Sequence, residues 1–389
     1  MKNFIKTILG YIIIFICKIL NQFVKFKFFE LYSSRVGHLT LNFDAALQLV
    51  PKNTYIIFLL SDNVANSFIL SFFKKKKKVF FVKSILFSRI LSYVHSANPH
   101  SDLLLSFKKV QPEFSFQFKY KSKINFPRYS EEKLETIFLK YSLKRNFVGL
   151  HARNDLYYKN NNLLNDKNYH GYRNFDFKDY RLAIMHLKKK YSIVKLGASY
   201  QEENIDYLNK YFDTKIFTSF DFNFNHEIDY LINAYSRYNV VASSGIDAIS
   251  SILRKKIVYV NLIPFNFNRL SYCSPNSIIL PKKLFDKKKR RFLTLKENLN
   301  INFSIHTSTD PYKKHQLEVI NNTQEEIMNA VIEMEEKIEG KNQLEVKKLN
   351  DTFWKSIGDE NYDKINYLKN TLKLSISSFF LKNSINIDS

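Results

Sequence analysis

Short apolar runs alternate with segments of helical periodicity between residues 147 and 261, and this alternation constrains the fold more than any other feature. The predicted strands are Phe147–Leu150, Ser192–Leu196, Lys215–Thr218, Asn239–Ala242 and Ile257–Asn261. The predicted helices between them follow a cap at Asp176 or cover Asn204–Phe212, Ile228–Tyr235 and Ile246–Leu253. Mainly apolar runs of this length are typical of strands buried in a parallel sheet. The rhythm predicts a doubly wound α/β sheet, whose ligands bind at the carboxyl ends of the strands.

Two further regions flank this unit. The apolar runs Tyr55–Leu60 and Val79–Val82 predict a first, separate α/β unit. Near the other end, Thr323 and Glu326 form a capping box, and an apolar stripe follows until Gly340 ends the helix. We therefore expect C-terminal helices that pack back on the core.

The N-terminal segment, residues 4–24, is apolar but carries charge. Its uninterrupted run, Ile8–Cys17, is shorter than the roughly 20 apolar residues that a spanning helix needs. Lysines flank the run, and no small-residue cleavage site follows, which disfavours a secretory signal. The pattern favours a helix that lies on an anionic membrane surface; a buried helix and a span with snorkelling lysines are the alternatives. The expected location is cytoplasmic, peripheral on the inner face of the cytoplasmic membrane.

The composition bears on the partners. The chain has 60 Lys and Arg against 36 Asp and Glu, a net charge of +24. The chain is rich in the residues that AT-rich codons encode, namely Lys, Asn, Ile, Phe and Tyr. Codon usage therefore explains the excess of lysine, and the charge does not by itself indicate binding to nucleic acid. It favours anionic small molecules and lipid headgroups. Two cysteines exclude a disulfide framework.

Polar residues follow the first strand of the second unit. His151, Arg153 and Asp155 come at alternate positions after Leu150. An arginine at a strand end can bind a diphosphate through two parallel hydrogen bonds, and Asp155 can hold it in place. The alternative is a surface ion pair beside a core histidine.

A second motif follows Ala242. Ser243, Ser244 and Gly245 precede a predicted helix, whose free backbone amides form an anion site that Gly245 opens to a phosphate. In the alternative, the serines only cap the helix. The motif is neither a Walker sequence nor the nucleophile elbow of hydrolases.

Further candidates lie in both units. Arg35-Val36-Gly37-His38-Leu39 predicts a loop in the first unit, where His38 could take a proton from an acceptor hydroxyl, with Asp44 as the alternative base. Tyr172 and Arg173 lie in a polar loop and either line a pocket or are solvated. No His, Asp or Glu cluster has metal-ligand spacing, and we expect no metal or other cofactor.

The motifs occur in a fixed order, Arg35–Leu39, Gly149–Asp155, Tyr172–Asp176, Val194–Gly197, Ser243–Gly245 and Val260–Asn261. In this order and spacing, over roughly residues 30–300, the chain resembles a family of bacterial glycosyltransferases linked to surface-carbohydrate and flagellin-glycan loci. The resemblance implies a GT-B architecture: two Rossmann-like domains with a cleft between them, a nucleotide-sugar donor on the second, and no obligatory metal. Five residues of these motifs are candidate pocket residues: Arg35, Gly37, Tyr172, Arg173 and Asn261.

The chain is expected to divide into four parts. Residues 1–28 would be a membrane-associating helix, 29–140 an acceptor domain, 141–305 a donor domain and 306–389 a C-terminal helical segment. A more distant similarity is to fucosyltransferases that use GDP-fucose, whose strand-end motif is His-x-Arg-Arg-x-Asp. His151, Arg153 and Asp155 resemble it, but Asn154 replaces the second arginine and the aspartate comes one residue early.

The function expected from this resemblance is metal-independent hexosyl or deoxyhexosyl transfer. The donor would be a nucleotide sugar, and the acceptor a glycan, a lipid-linked molecule or a protein in bacterial surface polysaccharide or glycoprotein synthesis. The alternative is a non-catalytic binding or scaffold protein of a surface-polysaccharide assembly. A nucleic-acid-binding protein would present exposed aromatic and Arg-rich patches, whereas the lysines here are dispersed, so no nucleic-acid partner is expected.

Overall fold

The computed structural model describes residues 2–60, 63–98, 101–105, 124, 129, 131–140, 142–154, 170–197, 204–218, 221, 226–242, 244–301 and 311–383. The chain forms two compact units, Met1–Arg128 and Tyr129–Ser389. Each unit is built on a parallel sheet with helices, which confirms the predicted α/β class.

The first unit has a four-stranded parallel sheet in the order β3-β2-β1-β4. Its strands are β1 (Phe26–Leu31), β2 (Tyr55–Leu60), β3 (Val79–Val82) and β4 (Leu104–Leu105). Its helices are α1 (Lys2–Phe23), α2 (Phe43–Leu49), α3 (Ser67–Lys74) and α4 (Ile85–Ala97). The predicted bounds of β2 and β3 are confirmed. Strand β1 was not predicted, because Lys27 and Glu30 interrupt its apolar run.

Aromatic rings fill the core of the first unit. Phe43 of α2 stacks on Phe73 of α3, with ring centroids 3.7 Å apart and planes 9° from parallel. The same ring lies 4.9 Å from Phe58 of β2. Such aromatic packing anchors both helices on the sheet.

The second unit has a seven-stranded parallel sheet in the order β14-β10-β9-β8-β5-β6-β7. Its strands are β5 (Phe147–His151), β6 (Ser192–Lys195), β7 (Ile216–Thr218), β8 (Asn239–Val241), β9 (Ile257–Leu262), β10 (Ile278–Pro281) and β14 (Ser375–Ile376). The chain adds β6 and β7 on one side of β5 and then returns to add β8 on the other side. The strand order therefore reverses between β5 and β8.

Helices connect and follow these strands in the described part of the second unit. They are α5 (Glu131–Lys140), α6 (Arg181–Leu187), α7 (Ile205–Phe212), α8 (His226–Tyr235), α9 (Asp247–Ile252), α10 (Phe267–Leu270), α11 (Leu295–Leu299), α12 (Pro311–Lys314), α13 (Gln324–Glu339), α14 (Gln343–Ile357), α15 (Tyr362–Asn366) and α16 (Ser378–Asn383). The capping box of Thr323 and Glu326 begins α13, and Gly340 ends it in the left-handed conformation, both as predicted.

A small antiparallel sheet in the order β12-β11-β13 was not predicted. It consists of β11 (Lys283–Asp286), β12 (Arg291–Phe292) and β13 (Leu317–Ile320). Leu284 and Leu317 pack in one cluster with Tyr172 and Ile263. The small sheet therefore supports the backbone around Tyr172, close to the ends of β9 and β10.

Candidate functional site

The two strongest motifs of the sequence meet at the reversal of strand order. His151 at the end of β5 pairs with Val241 at the end of β8. The next residue, Ala242, donates its N–H to the His151 carbonyl at 3.0 Å. Ligands of doubly wound sheets bind in the crevice at such a reversal. Asp155 and Ser243, which were predicted to take part, lie outside the described residues.

Arg153 follows β5 and holds the 170–175 segment. Its side chain is buried, with the residue 4% exposed, and Nη1 donates to the His170 carbonyl at 3.0 Å and contacts the Asn174 Oδ1. In return, the N–H of Phe175 donates to the Arg153 carbonyl at 3.2 Å. The predicted diphosphate-binding arginine is therefore at the strand end as expected, with one nitrogen engaged by this segment.

Lys282 brings a second buried cation to the same segment. It follows β10, is 2% exposed, and its Nζ donates to the carbonyls of Tyr172 and Asn174, both at 2.9 Å. Burial, and then the charge of Arg153, lower the pKa of Lys282 to about 7. Lys282 was not predicted from the sequence, although its signal resembles that of Arg153: a basic residue within two positions of the end of an apolar strand.

A buried ion pair lies beside the second motif. Asp247 is the first residue of α9, and its Oδ2 accepts from Arg269 Nη2 at 2.8 Å. Burial raises the pKa of Asp247, while the positive charges of Arg269 and then Arg173 oppose this shift. Arg173, on the 170–175 segment, is therefore close enough to affect the charge of Asp247, as it also affects Lys282.

Ser244 and Gly245 form a turn rather than the start of the helix. The Ser244 hydroxyl accepts from the Ile246 N–H at 3.4 Å, and α9 begins at Asp247 with no side-chain cap. Ser244 thus bonds the backbone just ahead of α9, and Ser243, the other predicted cap, lies outside the described residues. The Asp247 carboxylate already lies in the first turn, where the helix dipole favours a negative charge. Most of the positive charge at this edge comes from arginine and lysine.

His151 is a neutral core residue. Its Nδ1 lies 2.9 Å from the Leu196 carbonyl, and burial lowers its pKa to about 4. The neutral ring donates from Nδ1, which leaves Nε2 as an acceptor. A Cβ on Gly197, whose φ is +105°, would lie 3.1 Å from Nδ1. His151 thus contributes no positive charge at neutral pH.

Tyr172 and Asn261, two of the candidate pocket residues, lie in the core. The Tyr172 hydroxyl lies 3.0 Å from the His170 Nδ1. Asn261 has a φ of +50° and exchanges hydrogen bonds with Asn322: each backbone N–H donates to the other's Oδ1, at 2.6 and 2.7 Å. Asn322 also donates to the Pro281 carbonyl at 2.8 Å. These contacts fix the ends of β9 and β10, and so position Lys282.

The candidates of the first unit lie on a helix, which corrects the predicted loop. Gly37 has helical angles (φ −61°, ψ −46°), and a π-helical turn over His38–Asn42 continues into α2. Leu39 and Phe43, four residues apart, are both fully buried, so an apolar helical face drives this conformation. Arg35 is partly exposed, and its carbonyl accepts from the Leu39 N–H at 2.9 Å.

The two candidate bases differ in accessibility. His38 is partly exposed; its ring lies edge-on to Tyr32, and its Nδ1 is 3.3 Å from the Asn42 Nδ2. Asp44 is fully buried in the first turn of α2. A base must approach the proton that it removes, so this conformation favours His38. Within the part of the chain that the structure describes, no three His, Cys, Asp or Glu side chains are placed to hold a metal ion.

The chain matches no family model and no curated protein. Among solved structures, E. coli ADP-heptose LPS heptosyltransferase II is 12% identical, with a TM-score of 0.46 over 80% of this chain and 99% of that one. A glycosyl transferase of family 9 from Veillonella parvula DSM 2008 is 8% identical, with a TM-score of 0.40 over 66% and 86%. The iron-containing dodecameric glycosyltransferase TibC of enterotoxigenic E. coli H10407 is 11% identical, with a TM-score of 0.42 over 80% and 77%.

Proposed function

We propose that the chain is a glycosyltransferase that binds the diphosphate of a nucleotide-sugar donor at the carboxyl edge of its seven-stranded sheet. The observation that carries the proposal is the cluster of cations there. The cluster consists of Arg153, Arg173, Lys282 and Arg269. It lies beside the reversal of strand order, the position where a doubly wound sheet binds its ligand. The resemblance of the sequence motifs to those of bacterial glycosyltransferases also supports this function.

The charge balance favours an anion. Arg269 is paired with Asp247 at 2.8 Å. Lys282, by contrast, donates to two neutral carbonyls of the 170–175 segment, and the charge of Asp179 opposes only part of the lowering of its pKa. Neutral dipoles compensate buried charge only in part, so this edge gains more than a neutral surface would when a diphosphate binds.

The reaction follows from this placement. The acceptor hydroxyl attacks the anomeric carbon, the bond from that carbon to the diphosphate oxygen breaks, and the electron pair stays on the leaving nucleoside diphosphate. Positive charge from Arg153 and Lys282 would stabilise the developing anion. We propose His38, rather than the buried Asp44, as the group that takes the hydroxyl proton. We further propose that the cations serve in place of a metal, that the acceptor is a glycan, lipid-linked molecule or protein, and that the setting is bacterial surface polysaccharide or glycoprotein synthesis.

One observation favours the second candidate, a non-catalytic binding or scaffold protein. Arg153 and Lys282 are both engaged by backbone carbonyls of the 170–175 segment. A purely structural role of the two cations, in which they only hold the 170–175 segment in place, would explain these contacts without any substrate. The two functions differ in whether a nucleotide sugar is turned over.

The test is calorimetry with GDP, UDP, CMP and dTDP, followed by an assay for hydrolysis or transfer with the sugar nucleotide of whichever base binds. Arg173→Met should weaken binding by roughly ten- to a hundredfold, since a charge-assisted hydrogen bond contributes about 1.5–3 kcal/mol. The matched control is Arg291→Met, because Arg291 is exposed on β12 and paired with Glu297. Absence of binding to every nucleotide would refute the proposal. Binding without turnover would favour the scaffold function.

A further inference from the structure

Helix α1 presents a long apolar face to the solvent. The large apolar side chains that are at least two-fifths exposed are Phe4, Ile5, Ile8, Leu9, Tyr11, Ile12, Phe15, Ile16, Ile19, Leu20 and Phe23. Phe4 is 70% and Phe23 is 82% exposed. Soluble proteins rarely expose contiguous apolar surface of this extent, and such patches mark sites of interaction. By length and composition, this helix could also cross a membrane.

The opposite face of α1 is committed to the first unit. A Cβ on Gly10 would lie 2.1 Å from the Tyr93 carbonyl and 2.7 Å from the Ala97 Cβ, so α1 and α4 pack backbone against backbone. Ile14 is buried in a cluster with Val94 of α4. This contact fixes the rotation of α1. At 3.6 residues per turn, Ile12 and Ile19 lie about 160° and 180° away from Gly10.

The charges on α1 lie at the borders of the apolar face. Lys6 falls about 40° from Gly10 on one side and Lys18 about 80° on the other. Both are exposed, and the helix has no acidic residue. The apolar face is therefore flanked by lysines on both sides, next to the protein.

We propose that α1 lies in the interface of an anionic bilayer, with its apolar face among the acyl chains and Lys6 and Lys18 at the headgroups. The charges favour lipid over a second copy of this chain, since symmetric pairing of this face would bring like-charged lysines together, whereas anionic headgroups neutralise them. The packing also favours lying over spanning. α4 is held against the middle of α1 and carries the exposed Arg89 and His95, which a span would draw into the hydrocarbon.

The experiment is flotation of the full chain with vesicles of phosphatidylcholine, alone and mixed with phosphatidylglycerol. The first variant combines Ile12→Asp, Phe15→Asp and Ile19→Asp, and should reduce the bound fraction at least about tenfold on both vesicles. The second combines Lys6→Gln and Lys18→Gln, and should lose roughly tenfold on the mixed vesicles only. The control is Leu344→Asp, which replaces an apolar side chain that is 87% exposed on α14. It should bind as the parent does.

All altered side chains are exposed, so melting temperatures should stay close to that of the parent chain. Alkaline carbonate should release the bound protein, as expected for a helix in the interface. Retention after carbonate would overturn the proposal in favour of a span. A dimer that the triple variant dissociates, together with no flotation of the parent chain, would overturn it in favour of a second copy. Equal flotation of the triple variant and the control would show that α1 is not the membrane-binding element.

Discussion

Replacing Lys282 tests whether a buried positive charge at the carboxyl edge of the large sheet makes the stability of the second unit depend on pH. The change is Lys282→Met, which keeps an unbranched side chain of similar length and removes the ammonium. In the native chain this ammonium is buried against two carbonyls, and its pKa is lowered from 10.5 to about 7. In the unfolded chain the pKa returns to its ordinary value.

The sign of the pH dependence follows from this difference. Between about pH 7 and 10.5 the unfolded chain holds a proton on Lys282 that the folded chain has released. The free energy of unfolding therefore rises with pH in this window and is lowest, as far as this group is concerned, below pH 7. A pKa difference of this size corresponds to a gain of about 2 kcal/mol between pH 7 and pH 9. Lys282→Met should lack that gain.

The assay is denaturant unfolding at pH 7 and pH 9, followed by tryptophan fluorescence. The chain has a single tryptophan, Trp354, buried in the second unit, so the signal reports that unit. The matched control is Lys255→Met: burial lowers the pKa of Lys255 to about 8, but this lysine precedes β9 at the opposite edge and contacts the Ser236 carbonyl. Lys255→Met should keep the contribution of Lys282. Parallel pH profiles of the parent and Lys282→Met proteins would refute the reasoning.

Three further predictions follow. Gly10→Ala should lower the melting temperature of the first unit, whereas Gly171→Ala, which has no neighbour within 4 Å, should leave melting nearly unchanged; equal calorimetric shifts would contradict the α1–α4 contact. Asn322→Ala should lower the free energy of unfolding by about 2–4 kcal/mol, because it leaves the Asn261 N–H and the Pro281 carbonyl without their partner. Denaturant unfolding followed by Trp354 fluorescence measures this loss, and a loss below about 0.5 kcal/mol would contradict the role of the Asn261–Asn322 contact. If a diphosphate neutralises the charge around Lys282, nucleotide binding near pH 7.5 should take up protons, which calorimetry in buffers of different ionisation enthalpy detects; proton release or no exchange would contradict the proposed location.

Local patterns were sufficient for two elements. The strand at Tyr55–Leu60 and the helix that Thr323 caps are confirmed residue by residue. In both, neighbouring residues carry the whole signal: a continuous apolar run in one, and a reciprocal cap followed by an apolar stripe in the other. The approach of the strand ends at His151 and Ala242 also followed from the β-α-β rhythm, because parallel strands end at one edge.

Elements that depend on distant partners were missed. Strand β11 carries Lys283 and Asp286 and is held by β13, which comes about thirty residues later. The helical conformation around His38 depends on burial of Leu39 and Phe43, while Gly37 by itself favours a turn. Tertiary packing overrides local preference at both places.

The candidate site depends most on tertiary structure, because its cations and the groups that bind them come from distant parts of the chain. Arg153 and Lys282 are far apart in sequence, and only the fold brings both to the 170–175 segment. An anion that takes over one of these hydrogen bonds also changes the contacts of this segment, because both cations donate to its carbonyls. Ligand binding and the conformation of the segment are therefore coupled. A scaffold protein would keep the segment fixed. A transferase has to release a charged nucleotide and bind a new donor at each turnover, and the carbonyls of the segment give the cations alternative partners between these two steps.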